Sequence, residues 1–135
     1  MAVSPSDILT CTENQLSQAT TESEYRNIVS RSYYSMYHSA LTILAHEPPS
    51  YGGQGVHSSL ISYLQSNDVK TSEVHSPSTL KALSYMLQQY KAQRVIADYY
   101  LTQNITKDNA SDSVNTAKRF KKKCDEITPQ QTSDK

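Results

Sequence analysis

The segment from Thr21 to Pro49 constrains the fold more than any other part of the chain. It opens with "TESE", where the Thr21 hydroxyl can accept from the Glu24 amide while the Glu24 carboxylate reaches back to the Thr21 amide. It closes at Pro48 and Pro49, which have no amide hydrogen to continue a helical ladder. A helix is therefore predicted over about 21–46. On its wheel Ile28, Val29, Tyr33, Met36, Tyr37, Ala40, Ile43 and Leu44 form one broad apolar face.

Arg31 and His38 point away from the centre of that face. Seven residues correspond to about 20° of heading and about 10.5 Å of rise, so the two share one side. Asn27, Tyr34, Leu41 and Ala45 lie on the same side. Tyr34 and Leu41 are large and semi-apolar for a face meant only for water. Spacing alone leaves two readings open: a solvated face with incidental polar residues, or a surface covered by another protein.

The rest of the chain reads as further helices joined by short loops. One is predicted over about 6–19, with Ser4 or Ser6 as cap and Asp7 in its first turn. "PPSYGGQG" is a loop, followed by a shorter helix over about 56–66, and "NDVKTSEVHS" is a second loop. Ser76 caps a helix with Pro77 at its first position, running to about Leu101. A last helix starts at Thr106 and closes on the basic run "KRFKKK". The expected organisation is one bundle over 1–127 and a flexible polar tail over 128–135. With no β-alternation and no internal repeat, the fold class is all-α, an up-and-down bundle of four to five helices.

Composition narrows the function classes. The 135 residues include ten Tyr, one Phe and no Trp, so buried rings should bring hydroxyls that need partners near the core. Net charge is zero overall, but residues 1–69 carry two Lys/Arg against six Asp/Glu, and residues 70–135 carry eleven against seven. Any anion-binding surface should draw on the second half. Cys11 and Cys124 stand at opposite ends of the chain, which fits free thiols in a reducing compartment. No charged start followed by an apolar run appears, and no apolar stretch approaches the ~18 residues of a membrane span. A cytoplasmic protein without membrane contact is expected.

Other polar residues have plainer readings. Arg94 fills a missing rung in the ladder Leu80, Leu83, Leu87, Tyr90, Ala97 and Leu101, and Asp98 one turn on would pair with it inside the bundle. Lys118, Arg119, Lys121, Lys122 and Lys123 could steer RNA phosphates, or simply complement a helix C-terminus. His46, His57 and His75 lack ligand spacing, and the prolines of "HEPPS" forbid a second ligand one turn later. No metal and no cofactor is assigned.

The stretch "YRNIVSRSYYSMYHSALTIL" resembles the signature helix of the HEPN superfamily (higher eukaryotes and prokaryotes nucleotide-binding), in particular its small single-domain prokaryotic members. Their pattern is Arg, four to six residues, then His, often with paired aromatics between. Arg31, His38, Tyr33, Tyr34 and Tyr37 take those places. "GQGVHSSLISYL", "VKTSEV" and "RVIADYYLTQNIT" are similar to later elements of the family, so the resemblance covers roughly residues 22–120. The chain departs from the pattern at Gly53, where small members usually have His, at Ala40, where nucleotidyltransferase-paired members often have Tyr, and at Ser32, where catalytic members often have Asn, Asp or His.

What the resemblance implies is a homodimer with both Arg-His motifs meeting across its interface. Active members resemble metal-independent endoribonucleases, with toxin–antitoxin or defence roles. Arg31 and His38 of two subunits would form the composite catalytic site, with Ser32 and Tyr34 adding hydrogen bonds. Such chemistry needs a group that takes a proton near neutral pH and a planar cation for the phosphorane oxygens. The alternative is a non-catalytic nucleotide-binding or interaction module, such as the partner of a nucleotidyltransferase; the partners implied are a second copy, RNA, and an antitoxin or nucleotidyltransferase.

Overall fold

The computed structural model describes residues 2–45 and 47–133, the side chains of Lys70, Thr71 and 128–133 excepted. The protein is an all-α bundle: α1 (Pro5–Gln18), α2 (Glu22–Thr42), α3 (Val56–Gln65), a single-turn α4 (Val69–Ser72), α5 (Pro77–Tyr99) and α6 (Lys107–Ser133). The helix starts follow from local chemistry. Ser4 and Asp7 exchange backbone and side-chain bonds at the head of α1, with Pro5 in its first turn. Thr21 and Glu24 do the same for α2, and the Ser76 hydroxyl accepts from the Thr79 amide for α5. Thr106 and Asn109 make a similar reciprocal pair before α6.

Helix α2 is the axle of the bundle. It packs most extensively against α6, and then against α1 and α5. Its fully buried Tyr33, Met36, Ala40 and Ile43 join Leu60, Leu64, Leu80, Leu87 and Phe120 in the main core. A second cluster at the other end collects Ile28 and Val29 with Ala97, Ala110 and Val114. The buried side of α2 is wider than its apolar residues indicate. Ser32, Ser35 and Ser39 are also buried, and α6 buries the equally small Ala110, Ser113, Thr116 and Ala117. Small side chains let two helices approach closely, so hydroxyl-bearing residues enter a packed seam for their size.

The buried tyrosines have the partners their hydroxyls require. Tyr90 donates to Asp112 at 2.6 Å and accepts from Thr116 at 2.8 Å, tying α5 to α6. Tyr63 donates to the buried Glu73 carboxylate at 2.6 Å, and burial pushes its hydroxyl up to about 12. The Tyr51 hydroxyl, by contrast, is buried with no hydrogen-bond partner among the described residues.

Three helix ends differ from the sequence reading. Helix α2 stops at Thr42, before the prolines, because residues from a later loop take its last polar groups. Glu73 accepts from the Ala45 amide at 2.7 Å, and a His75 ring nitrogen lies 3.2 Å from the Ile43 carbonyl oxygen. That loop contains α4, where no helix was predicted. Helix α5 stops at Tyr99, so Leu101 is not a core rung and lies 74% exposed. Helix α6 runs past Ile127 to Ser133, into the span read as a tail, and residues 134–135 of that tail are outside the described residues.

The end of α5 is held by Arg26. Its guanidinium donates to the carbonyl oxygens of Ile96, Ala97, Tyr100, Leu101 and Gln103 while pairing with Glu22 at 2.8 Å. The last carbonyls of a helix have no partners within it, and a planar cation with five donors can serve several at once. Arg94 is different. It does pair with Asp98, at 2.9 Å, but both side chains are 27% exposed, so the expected interior pair is a half-exposed one. Pairs of that kind are worth ~0–1 kcal/mol.

Arg26→Ala should therefore lower stability by ~3 kcal/mol, since it strands several carbonyls at once. Arg26→Lys should recover less than half of that, because one ammonium cannot span the set. Urea denaturation measures both, and a change below ~0.5 kcal/mol for Arg26→Ala would show that water replaces the guanidinium without loss.

Candidate functional site

One side of α2 carries Arg31 and Tyr34, which are exposed, and His38 and Leu41, which are half-buried. Together with Thr42 and, from α1, Ile8, Cys11, Thr12 and Gln15, they line an open groove of about 620 Å³. Helical geometry sets their order. Tyr34 is three residues after Arg31 and four before His38, so its ring lies between them on one face. The Arg31 guanidinium carbon stands 4.6 Å from the Tyr34 ring centre, and the His38 ring meets Tyr34 edge-on at 4.4 Å.

A guanidinium on a ring face is attracted by ~0.5–1 kcal/mol at an exposed site, while its in-plane N–H donors remain free. Among the described residues, Arg31 has no carboxylate partner. Arg26 and Arg94 are each paired with an acid, and Arg119 donates to the Thr116 hydroxyl at 3.1 Å. Asp7, the carboxylate lining the groove, accepts from the Ser4 amide at 2.9 Å. Arg31 is thus an exposed cation whose fork is available to an outside anion.

His38 is half-buried. Burial, and then the Arg31 charge, hold its ring below the ordinary value of 6.5, so it is neutral at neutral pH. A neutral imidazole can accept a proton, and the guanidinium beside it can hold a developing negative charge. This is the chemistry the groove offers.

The other residues singled out in the sequence are placed as follows. Tyr34 lines the groove. Ser32 does not: it is fully buried and its hydroxyl has no partner among the described residues, so it packs inside the bundle and does not add a hydrogen bond to the groove. Nor does the basic run of α6 join the groove. Lys118 pairs with Glu13 at 3.0 Å and Lys121 with Asp125 at 2.6 Å, while Lys122 and Lys123 are exposed. Phe120 and Cys124 bury the opposite side of that helix, and burial pushes the Cys124 thiol up to about 12. Cys11 is a free thiol on the exposed side of α1. His75 caps α2, as above, and His46 is outside the described residues. Among the described residues, no three His, Cys, Asp or Glu side chains cluster, and no helix is long and apolar enough to cross a membrane.

His57 lacks ligand spacing in the sequence, and it does not line the groove, yet the fold brings it against the neighbouring tyrosines of α2. It occupies the first turn of α3, which lays its ring against Tyr37 at 4.2 Å and beside Tyr33 at 5.3 Å. The Tyr33 hydroxyl is 3.1 Å from His57 Nδ1. Tyr37 also meets His38 edge-on at 5.1 Å, so one tyrosine ring touches both imidazoles. Burial, followed by the charges of Arg94, Lys91 and His38, holds His57 below 6.5 as well. No spacing rule would have found this pair, since it exists only once α3 folds back over α2.

Both rings bind protons less readily in the folded chain than in the unfolded one. As pH falls the unfolded chain is protonated first, so stability is full above about pH 7 and declines from about pH 6.5 downward. Ring-proton titration by nuclear magnetic resonance should give midpoints below 6.5 for both residues. Urea melts should show the decline shrinking in a His38→Gln/His57→Gln double variant. Midpoints at or above 6.5 would show that neither ring is desolvated as described.

Compared with known protein families, curated proteins and solved structures, the chain matches none.

Proposed function

We propose that the protein is a metal-independent endoribonuclease of the HEPN type, acting as a homodimer whose Arg31 and His38 face each other in a composite site. The observation that carries this reading is the pairing in one open groove of an arginine without a carboxylate partner and a neutral histidine. A structural arginine is normally tied to an acid or to carbonyls, as Arg26 and Arg94 are here. The resemblance of α2 to the HEPN signature helix supports the same assignment.

The reaction follows from the groups present. His38 takes the proton of an RNA 2′-hydroxyl, and O2′ forms a bond to the adjacent phosphorus. The Arg31 fork holds the non-bridging oxygens as negative charge builds on them. The P–O5′ bond then breaks, leaving a 2′,3′-cyclic phosphate and a 5′-hydroxyl. A second copy docked on the Tyr34–Leu41 strip would exclude water from the groove and bring a second guanidinium to the same phosphate. A toxin or defence role, with an antitoxin or a nucleotidyltransferase as partner, belongs to this reading as its biological setting.

His38→Ala should lower cleavage of single-stranded RNA by ~10²–10⁴ with the helical signal unchanged, because the ring lies outside the core. Arg31→Ala should lose ~10²–10³. Wild-type activity should persist in excess EDTA. EDTA-sensitive cleavage, or full activity of His38→Ala, would place the chemistry elsewhere. Absence of cleavage by the wild type on varied RNAs would favour a binding module instead.

The dimer is tested separately. Leu41→Lys places a charge in the proposed interface; because Leu41 also packs partly against the main core, the helical signal and urea midpoint of the variant are compared with those of the wild type. Sedimentation should show the wild type as a dimer at micromolar concentration and the variant shifted to monomer, with activity falling in step. A wild-type monomer that cleaves RNA would remove the composite site from the proposal.

A further inference from the structure

Resting on the nuclease reading above, we infer that His57 is the proton donor to the leaving O5′ oxygen, so that each subunit carries both acid and base. The base, His38, and the proposed acid are joined by one ring. Tyr37 stands 5.1 Å from His38 and 4.2 Å from His57, centre to centre, so the two imidazoles are separated by no more than these spacings combined. Tyr37 and His57 lie outside the residues that line the groove. The phosphodiester is therefore placed across the Tyr37 edge of it, with O2′ attacking on the His38 side and O5′ departing on the His57 side.

The surroundings of His57 suit the role. The Tyr33 hydroxyl occupies Nδ1, and burial keeps that hydroxyl protonated far above neutral pH. The proton exchanged with substrate is therefore carried on Nε2, the nitrogen not facing Tyr33. Two cations lie close by. Lys91 bonds the Ser58 hydroxyl at 2.8 Å, next to His57 in the chain, and Arg94 sits one helical turn further along α5. Tyr33, Tyr37 and His38 complete the groups facing the ring from α2, and Asp98 is engaged by Arg94 and Ser30. The cations disfavour a charged imidazole in the free protein and attract the phosphodiester. Once the anion is bound, its charge offsets theirs and the protonated ring becomes accessible.

The step then balances. The 2′-hydroxyl proton passes to His38 as the O2′–P bond forms. The P–O5′ bond breaks, and O5′ receives the Nε2 proton of His57. Water returns both rings to their starting states. With the free-enzyme midpoints of both groups depressed, kcat/KM should peak below pH 6.5 and fall on either side.

The test compares two oligoribonucleotides, one ordinary and one with sulfur replacing the bridging 5′ oxygen at the cleaved linkage. A thiolate leaves without protonation, so that substrate does not need the acid. His57→Gln should lose ~10²–10⁴ on the ordinary RNA and cleave the sulfur-bridged one at close to the wild-type rate. His38→Ala should be slow on both. The wild-type pH profile, which depends on no variant folding, should be bell-shaped, and a plateau extending to alkaline pH would overturn the assignment. So would equal losses on both linkages, or normal activity of His57→Gln. A wild type that cleaves neither substrate would instead overturn the nuclease reading on which this rests.

Discussion

Everything about the groove depends on how α2 is enclosed. A helix packed on three sides by α1, α5 and α6 has only a narrow strip left for solvent, and the bundle accommodates that enclosure by using small residues where helices press closest. Ser32, Ser35 and Ser39 are buried for this reason. An unpartnered buried hydroxyl costs about 1–3 kcal/mol, so the Ser32 and Ser39 hydroxyls are tolerated against the packing they allow. The strip left over is where Arg31, Tyr34, His38 and Leu41 project. Their availability is a consequence of the packing around them.

Polar groups from distant parts of the chain then lock the ends of these helices. Glu73 and His75 hold the end of α2, and Arg26 holds the end of α5. Each is a side chain taking the free backbone groups of another element. The loop carrying Glu73 reaches Tyr63 as well, so the C-terminus of α2 and the body of α3 are fixed relative to each other. Because α3 carries His57, this also fixes that ring beside Tyr33 and Tyr37.

What could be read from the sequence divides along the same line. The starts of α1, α2 and α5 were legible, since a cap is written within four residues and needs nothing else. The shared heading of Arg31 and His38 was legible from helix periodicity alone. The ends of α2 and α5 were not, because their terminators lie about 30 to 75 positions away in the chain and meet them only after folding. Ser32 was misplaced because a hydroxyl was read as polar where the bundle selected it for size. His57 was missed because its contacts with Tyr33 and Tyr37 are tertiary. The partners of the basic run were not legible either: Lys118 pairs with Glu13 from α1, Lys121 with Asp125, and Arg119 bonds Thr116.

On the nuclease reading proposed above, the electrostatics around α2 would let a protein of zero net charge meet a polyanion without a broad basic surface. Burial and neighbouring cations disfavour the charged form of both His38, in the groove, and His57, on the far side of Tyr37. An arriving phosphate reverses the balance: it satisfies the Arg31 fork directly, where a charge-assisted hydrogen bond is worth ~1.5–3 kcal/mol, against ~0.5–1 kcal/mol for the ring beneath it. It also lowers the cost of protonating the histidines. The protein's proton-transfer groups would thus become matched to the reaction when an anion is present and remain discharged otherwise. Tyrosines are suited to line such a strip, since each gives a ring for the cation or imidazole to rest on and adds no charge of its own at neutral pH.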